Sequence, residues 1–541
     1  MVAQSIEKSL AGDELSSATT LARSTVRQMI ELGVQDVVLS PGSRNTPLSL
    51  ALLHAENKGL ITLHVRIDER GAAFFALGIS KATKRYVALV CTSGTAVANY
   101  LPAVLEAHHS DLNLFLVTAD RPARLRKTGS NQTTNQVGIF GDFVRAHSDS
   151  AAPLDLSHFL DGNGPIHINL QFDEPLLPTE VENENEWLVG LHRQELPKKS
   201  HPAAEISITT SKNLLIVGHD RAGIDSASIT KFAEKVGAPI IAEDPLSFDH
   251  AIAHAPILLS DERVQKELKP ETLFVIGRTT LSRSINSYIA SAPRVVLIDP
   301  RIESIDTERS AHEIHFQIPR ISSQVVRDEL WFDKWQKYEA LATQAIATLP
   351  EWCEGRALQT ITKELPADTA LFVASSRPIR DIESFAIPRK DLETYANRGL
   401  AGIDGNISTA MGIATFHEET VAVIGDLAFL HDLSALAQPT QDPLTLIVID
   451  NDGGGIFSTL PQRGVAGFEK VFGTPHGQDL AKMVAGFGTS YEVVSNTYEL
   501  QVALRRVHPI LHIIIAKMPD RESNADAIAK VVSKYRELVA F

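Results

Sequence analysis

VAVIGDLAFLHDLSAL, from Val421 to Leu436, and LTLIVIDNDGGGIF, from Leu444 to Phe457, decide how the rest of the chain is read. Each opens with a short apolar run containing β-branched residues and stops at polar groups. These are Gly425-Asp426 in the first, and Asp450-Asn451-Asp452 followed by three glycines in the second. Such runs predict buried strands of a parallel sheet, with polar ends where an open α/β sheet binds ligands. Asp426 and Asn451 stand 25 positions apart. That distance fits a helix from Leu427 to about Ala437 and the next parallel strand, so both oxygens are expected on one edge of the sheet. Two hard oxygen donors beside glycines that let backbone approach closely suit a Mg²⁺ ion holding a diphosphate.

Outward from this stretch, the same alternation of strands and helices recurs twice. The first block has a helix from Ala18 to Glu31 ended by Gly33, then strands at Asp36–Ser40, Tyr86–Ser93 and Asn113–Asp120. Helices are expected around Pro47–Glu56, Gly71–Lys81 and Ala96–His109. The second block has strands at Asn213–His219, Pro239–Asp244, Thr272–Gly277 and Arg294–Asp299. A helical connector around Asp328–Ala347 leads to the third block, whose further strands are Ala370–Ser376, Leu392–Asn397 and Ile510–Ala516. An Glu/Asn-rich and then Pro/Lys-rich stretch from Pro178 to Ile206 reads as a linker. The predicted fold is α/β, with three doubly wound parallel-sheet domains over residues 1–195, 196–345 and 346–541.

Composition bounds the chemistry. The 541 residues are 44% hydrophobic and 22% charged, as in a globular enzyme or binding protein. The 51 basic against 66 acidic residues leave a net charge of −15, which argues against nucleic acid or a membrane surface as partner. No apolar run approaches the roughly 18 residues that span a bilayer. Only Cys91 and Cys353 occur, without CxxC spacing, so both read as small buried residues in a reducing cytoplasm. The N-terminus, with Glu7, Asp13 and Glu14, lacks the basic-then-apolar pattern of a secretory signal. There is no Gly-Lys dipeptide, GxGxxG or GxSxG, which removes P-loop NTPases and α/β-hydrolases and weakens a dehydrogenase reading.

Alone, Gly-Asp at a strand end is better explained as a helix cap. Paired with Asn451 it resembles the magnesium-diphosphate motif of thiamine-diphosphate enzymes, although Leu427 stands where a second glycine is familiar. IDERGAAFFALG, Ile67 to Gly78, adds a second resemblance. Glu69 is similar to the glutamate that relays a proton at the cofactor's aminopyrimidine ring, and the neighbouring Ala72, Ala73, Phe74 and Phe75 suit a carboxyl that shares a proton.

Further tracts narrow the resemblance to one family. SPGSRNTPLSLAL (Ser40–Leu52), TSGTAVANYLPAVLEA (Thr92–Ala107), TADRP (Thr118–Pro122), SNQTTNQ (Ser130–Gln136), ANRGLAGIDGNISTAMG (Ala396–Gly412) and NDGGGIFSTLP (Asn451–Pro461) resemble the SEPHCHC synthases of menaquinone biosynthesis, in which leucine after Gly-Asp is ordinary. The resemblance implies thiamine diphosphate and Mg²⁺, with Mn²⁺ as an alternative, bound by Asp426, Asn451 and the Gly453 carbonyl. It implies decarboxylation of 2-oxoglutarate and 1,4-addition of the resulting carbanion to isochorismate. By the same similarity Glu69, Ser43, Arg44, Gln132 and Arg398 are catalytic. Arg121, Asn131, Arg283, Ser376 and Arg380 join Ser43, Arg44, Gln132 and Arg398 in binding substrate. Ile403, Ile456, Phe457 and Leu460 wall the reacting centre and cofactor. Guanidinium groups suit dicarboxylates because they bind carboxylate bidentately. Arg124, Arg126 and Lys127 read as solvated surface, and His431 and His476 receive no role. The family's two half-sites come from different subunits, so a homodimer or homotetramer is expected. The competing readings are another thiamine-diphosphate decarboxylase or carboligase, and a non-catalytic binding protein on the same fold.

Overall fold

The computed structural model describes residues 17–178, 187–194, 202–301, 306 and 309–540. It contains three wholly parallel sheets. The first holds β1 (Asp36–Leu39), β2 (Thr62–Val65), β3 (Val87–Cys91), β4 (Leu114–Asp120), β5 (Ala146–Ser150) and β6 (Ile166–Gln171), in the order β2-β1-β3-β4-β6-β5. Between the sheets, β7 (Glu205–Ile206) pairs with β13 (Arg320–Ile321). The middle sheet holds β8 (Asn213–Val217), β9 (Ile240–Ala242), β10 (Thr272–Ile276), β11 (Val295–Ile298) and β12 (Glu313–His315), in the order β12-β11-β10-β8-β9. The third holds β14 (Ala370–Val373), β15 (Glu393–Tyr395), β16 (Thr420–Gly425), β17 (Leu444–Asp450), β18 (Ser490–Val494) and β19 (His512–Lys517), in the order β15-β14-β16-β17-β19-β18. Counted from its first strand, the third sheet repeats the order of the first.

The central strands β3, β4, β16 and β17 are buried almost throughout, which is why they read as unbroken apolar runs. The strands missed by sequence reading are mostly at sheet edges: β2, β5, β12 and β18 are half exposed and lack a continuous apolar run. β6 is different. It is buried, but His167 and Asn169 break its pattern because they serve an internal polar network with Thr118, Asp120 and Gln136. The helix expected from Leu427 to Ala437 is instead an α-helix over Asp426–His431 followed by a 3₁₀ turn over Leu433–Ala437. The expected linker lies partly outside the described residues, as do Glu7, Asp13 and Glu14.

The chain forms two compact units. The first contains the first sheet and also residues 407–416, most of the helix Asn406–Ala414. That helix lies against the helix Glu69–Thr83 at two glycines. A Cβ on Gly78 would meet the Thr409 carbonyl oxygen at 2.1 Å, and one on Gly412 the Phe75 carbonyl oxygen at 2.1 Å. The second unit contains the other two sheets. The helices Glu329–Ile346 and Arg521–Val539 share one core with the middle sheet, through Trp331, Trp335, Val531 and Tyr535.

Candidate active site

At the carboxyl edge of the third sheet, β16 and β17 run in register with Gly425 opposite Ile449, so Asp426 and Asn451 emerge side by side as expected. Asp426 is buried. Its Oδ2 accepts hydrogen bonds from the backbone N–H groups of Gly453 (2.9 Å) and Asn451 (3.2 Å), and its Oδ1 from Leu427 N–H (2.7 Å). Burial, with Asp450 beside it, pushes the Asp426 carboxyl up to about 6. A cation at this point would reverse that cost. Gly453 sits at φ +132, and a Cβ there would meet the Gly473 carbonyl oxygen at 2.2 Å. Cβ atoms on Gly454 and Gly455 would meet Phe472 O at 2.4 Å and Asn451 Nδ2 at 2.5 Å. All three glycines are therefore required by close approach.

The residues fit a diphosphate-bound metal ion. Asn451 Oδ1 is buried and has no hydrogen-bond partner among the described residues, an acceptor in need of a cation or donor. The amide is held that way round by a residue that sequence reading missed. Glu354, itself buried, accepts from Asn451 Nδ2 at 2.6 Å through Oε1, and its Oε2 receives Arg377 Nε at 3.4 Å. Arg377 also pairs with buried Asp381, whose carboxyl burial pushes up to about 7. No local signal marks Glu354, because it lies 97 positions from Asn451 at the start of a different helix. His476, to which sequence reading gave no role, also reaches this edge. Its Nε2 is 3.4 Å from Asp426 Oδ2 and 3.8 Å from Asp450 Oδ1, and one ligand atom from each of the three residues lies within 4.8 Å of the others.

The first sheet presents a different edge. Glu69 opens the helix Glu69–Thr83, capped by Asp68, and its Oε2 accepts from Asn99 Nδ2 at 3.3 Å. Ser43 is exposed on the turn after β1. Arg44, in the same turn, donates Nη1 to Phe172 O (3.0 Å), pairs with Glu174 (3.3 Å), and leaves Nε buried without a partner among the described residues. Arg121, following β4, donates Nη1 to Ser93 Oγ (2.9 Å) and Gln132 O (2.8 Å). Its pKa is lowered by burial and then by the charge of nearby Arg44. Gln132 is held at φ +54, with Nε2 donating to Ser93 O at 3.1 Å, and Asn131 beside it is exposed. Two guanidinium groups at one sheet edge suit an anion. Arg124 is solvent-facing as expected, but Arg126 is not. It is tied to buried Asp120 at the end of β4 (2.7 Å) and to both oxygens of Asp149 (2.8 Å each), an acid on β5 that the sequence reading had not placed in the sheet.

The remaining candidates lie in the second unit. Arg398 is only 3% exposed and donates to both oxygens of Glu243, at 3.2 and 2.9 Å. A substrate carboxylate would have to replace Glu243 as its partner. Ser376 caps a helix at φ +75, and its carbonyl accepts from Arg380 Nη1 at 2.9 Å. Burial, with Arg377 nearby, lowers the Arg380 pKa. Arg283 is exposed at the start of the helix Arg283–Ala290. Ile403 is exposed, while Ile456, Phe457 and Leu460 are half-buried along a 3₁₀ turn and its end, with Phe457 against Phe472.

Two like-wound sheets, one with a carboxyl and two arginines at its edge and the other with buried oxygen donors beside three glycines, suit a thiamine-diphosphate enzyme. Family models agree. Residues 19–139 match the thiamine pyrophosphate enzyme N-terminal TPP binding domain, residues 178–373 the middle domain of thiamine pyrophosphate enzymes, and residues 382–513 the C-terminal TPP binding domain. Curated relatives narrow the class. The chain is 36% identical to the 2-succinyl-5-enolpyruvyl-6-hydroxy-3-cyclohexene-1-carboxylate synthase of Saccharopolyspora erythraea over 91% of this chain and 94% of that one. It is 36% identical to the synthase of the same name from Thermobifida fusca, over 91% and 94%. With that of Bacillus cytotoxicus the identity is 34% over 94% and 95%. The chain belongs to the 2-succinyl-5-enolpyruvyl-6-hydroxy-3-cyclohexene-1-carboxylate (SEPHCHC) synthase family. Among the described residues no helix is long and apolar enough to cross a membrane.

Proposed function

We propose that the protein decarboxylates 2-oxoglutarate and adds the remaining four-carbon unit in 1,4 fashion to isochorismate, forming SEPHCHC in menaquinone biosynthesis. The observation that carries this reading is that Arg44, with a buried Nε lacking a partner among the described residues, and Arg121 both follow strands at the sheet edge that also holds Glu69. A dicarboxylate needs such cations beside the proton-transfer group, whereas a decarboxylase for a neutral 2-oxoacid side chain does not.

Thiamine diphosphate, when bound, supplies the electron sink for the carbanion left by departing CO₂. The chain's own residues do the rest. Asp426, Asn451 Oδ1 and the Gly453 carbonyl would hold Mg²⁺, or Mn²⁺, and Glu354 fixes the Asn451 amide. Glu69 Oε1 holds and returns a proton at the aminopyrimidine, while Asn99 orients the carboxyl through Oε2. Arg44 and Arg121 take substrate carboxylates, and Ser43, Asn131 and Gln132 line the same edge. Ile403, Ile456, Phe457 and Leu460 exclude water from the reacting carbon. Ser376, Arg380, Arg398 and Arg283 supply the remaining polar contacts, Arg398 by exchanging Glu243 for a substrate carboxylate.

Each active site joins Glu69 of one subunit to Asp426 of another, so a homodimer is the minimal working form and a homotetramer two such pairs. The protein works in the cytoplasm, where the buried thiols of Cys91 and Cys353 stay reduced. The test is to supply thiamine diphosphate, Mg²⁺ and 2-oxoglutarate with and without isochorismate, and to follow CO₂ release and isochorismate loss. Joint consumption is expected. CO₂ release with isochorismate untouched would identify another thiamine-diphosphate decarboxylase or carboligase instead.

A further inference from the structure

On the edge of the third sheet opposite Asp426, β18 and β19 start side by side, with Ser490 in register with His512. Glu492 on β18, His512 at the first position of β19, and His508 on the loop leading into β19 converge there. One carboxylate oxygen and one nitrogen from each imidazole lie within 4.8 Å of one another. None of these residues has a part in the reaction described above.

The surroundings hold Glu492 and His512 with one atom turned inward and another held from outside. Ser490 Oγ is 2.8 Å from His512 Nδ1, which leaves Nε2 facing Glu492 Oε1 at 3.3 Å. Arg506 Nη1 holds the other Glu492 oxygen, Oε2, at 2.7 Å. His508 Nε2 is buried and has no hydrogen-bond partner among the described residues. Burial lowers the pKa of both imidazoles and so favours the neutral form, which is the one that ligates metal. Ring orientation fixed by an outer hydroxyl or cation is the usual support for a metal ligand.

We propose that Glu492, His508 and His512 form a second cation site, for a zinc-class divalent ion, that pins the edge strand β18 to β19 and to the loop before it. Two imidazoles and one carboxylate favour Zn²⁺ over Mg²⁺, and three protein ligands leave a fourth position for water. The His508 and His512 rings are stacked at 3.7 Å and nearly parallel. Zn–N bonds of about 2.1 Å place tetrahedral donors roughly 3.4 Å apart, so His508 must turn out of the stack for both lone pairs to converge. It is half exposed on a loop between the helix Thr497–Leu504 and β19, outside regular secondary structure.

The test uses the full-length protein saturated with thiamine diphosphate and Mg²⁺, titrated with Zn²⁺ by calorimetry and with Co²⁺ by absorption. One equivalent of Zn²⁺ per chain is expected, with Co²⁺ giving the intense bands of a low-coordinate nitrogen-oxygen site and Zn²⁺ raising the melting temperature. Glu492→Gln and His512→Ala should abolish that equivalent, and Ser490→Ala should weaken it about tenfold. His508→Phe keeps a stacked ring without a ligand. It should fold and turn over normally, yet lose the zinc equivalent and the zinc-dependent rise in melting temperature. Zinc uptake in His508→Phe equal to that of the unaltered protein, or no uptake by the unaltered protein, would overturn the site and leave the stacked pair as packing alone.

Discussion

The first and third sheets share one strand order; the turn after the first strand carries arginine in both, and the turns after the next two central strands carry different chemistry. The turn after the first strand holds Arg44 in one and Ser376, Arg377 and Arg380 in the other. After the next central strand come Ser93 and Gly94 in one, Gly425 and Asp426 in the other. The next central strand leads to Arg121 or to Asn451. Both sheets end that strand in a buried aspartate tied to a cation, Asp120 to Arg126 and Asp450 to Lys517. The scaffold thus fixes where side chains emerge, and single residues at those positions decide whether the edge attracts anions or holds a cation.

Changes at the two edges should fail in different ways. Glu69→Gln should keep cofactor affinity and lose about 10²–10⁴-fold in turnover, measured with saturating cofactor. Near-normal turnover would remove Glu69 from proton transfer. Asn451→Ala and Glu354→Gln belong to the other edge. Glu354→Gln should weaken Mg²⁺ binding about 10–100-fold by releasing the Asn451 amide, read by metal titration, with the catalytic rate recovering at high Mg²⁺. Arg121→Ala should raise the KM for dicarboxylate by about 10–100-fold, worth roughly 1.5–3 kcal/mol at a charged hydrogen bond, without changing metal affinity. Gly453→Ala, with its carbonyl clash and positive φ, should cost about 1–3 kcal/mol of stability and show as a lower melting temperature. Smallest of all, Arg124→Ala on the exposed Asp173 pair should leave both activity and stability unchanged.

The same contrast explains what could be read from the chain alone. The third-sheet edge was legible because its donors follow apolar strands directly, at a spacing that one strand-helix-strand unit imposes. Its supports were not. Glu354 meets Asn451 only through folding, and His476 arrives on a long loop without regular spacing. At the first sheet, β6 escaped notice because His167 and Asn169 put polar groups inside a buried strand. Missing β5 and β6 made Arg126 look solvated when it is a structural partner of Asp120 and Asp149. Arg398 shows the same limit: a residue expected at the reaction centre from its motif lies against Glu243, a partner 155 positions earlier. Family resemblance supplied the chemistry of these positions, while burial and partner choice come from long-range packing that no local pattern encodes.

In the proposed assembly, Glu69 of one subunit completes the Asp426 edge of another. Glu69→Gln and Asp426→Asn proteins, each inactive alone, should regain activity when unfolded together and refolded as hybrids. Each hybrid dimer then has one site with both residues intact, so a random equal mixture should show about a quarter of the unaltered activity. Hybrid dimers verified by native mass spectrometry that remain as inactive as their parents would contradict it.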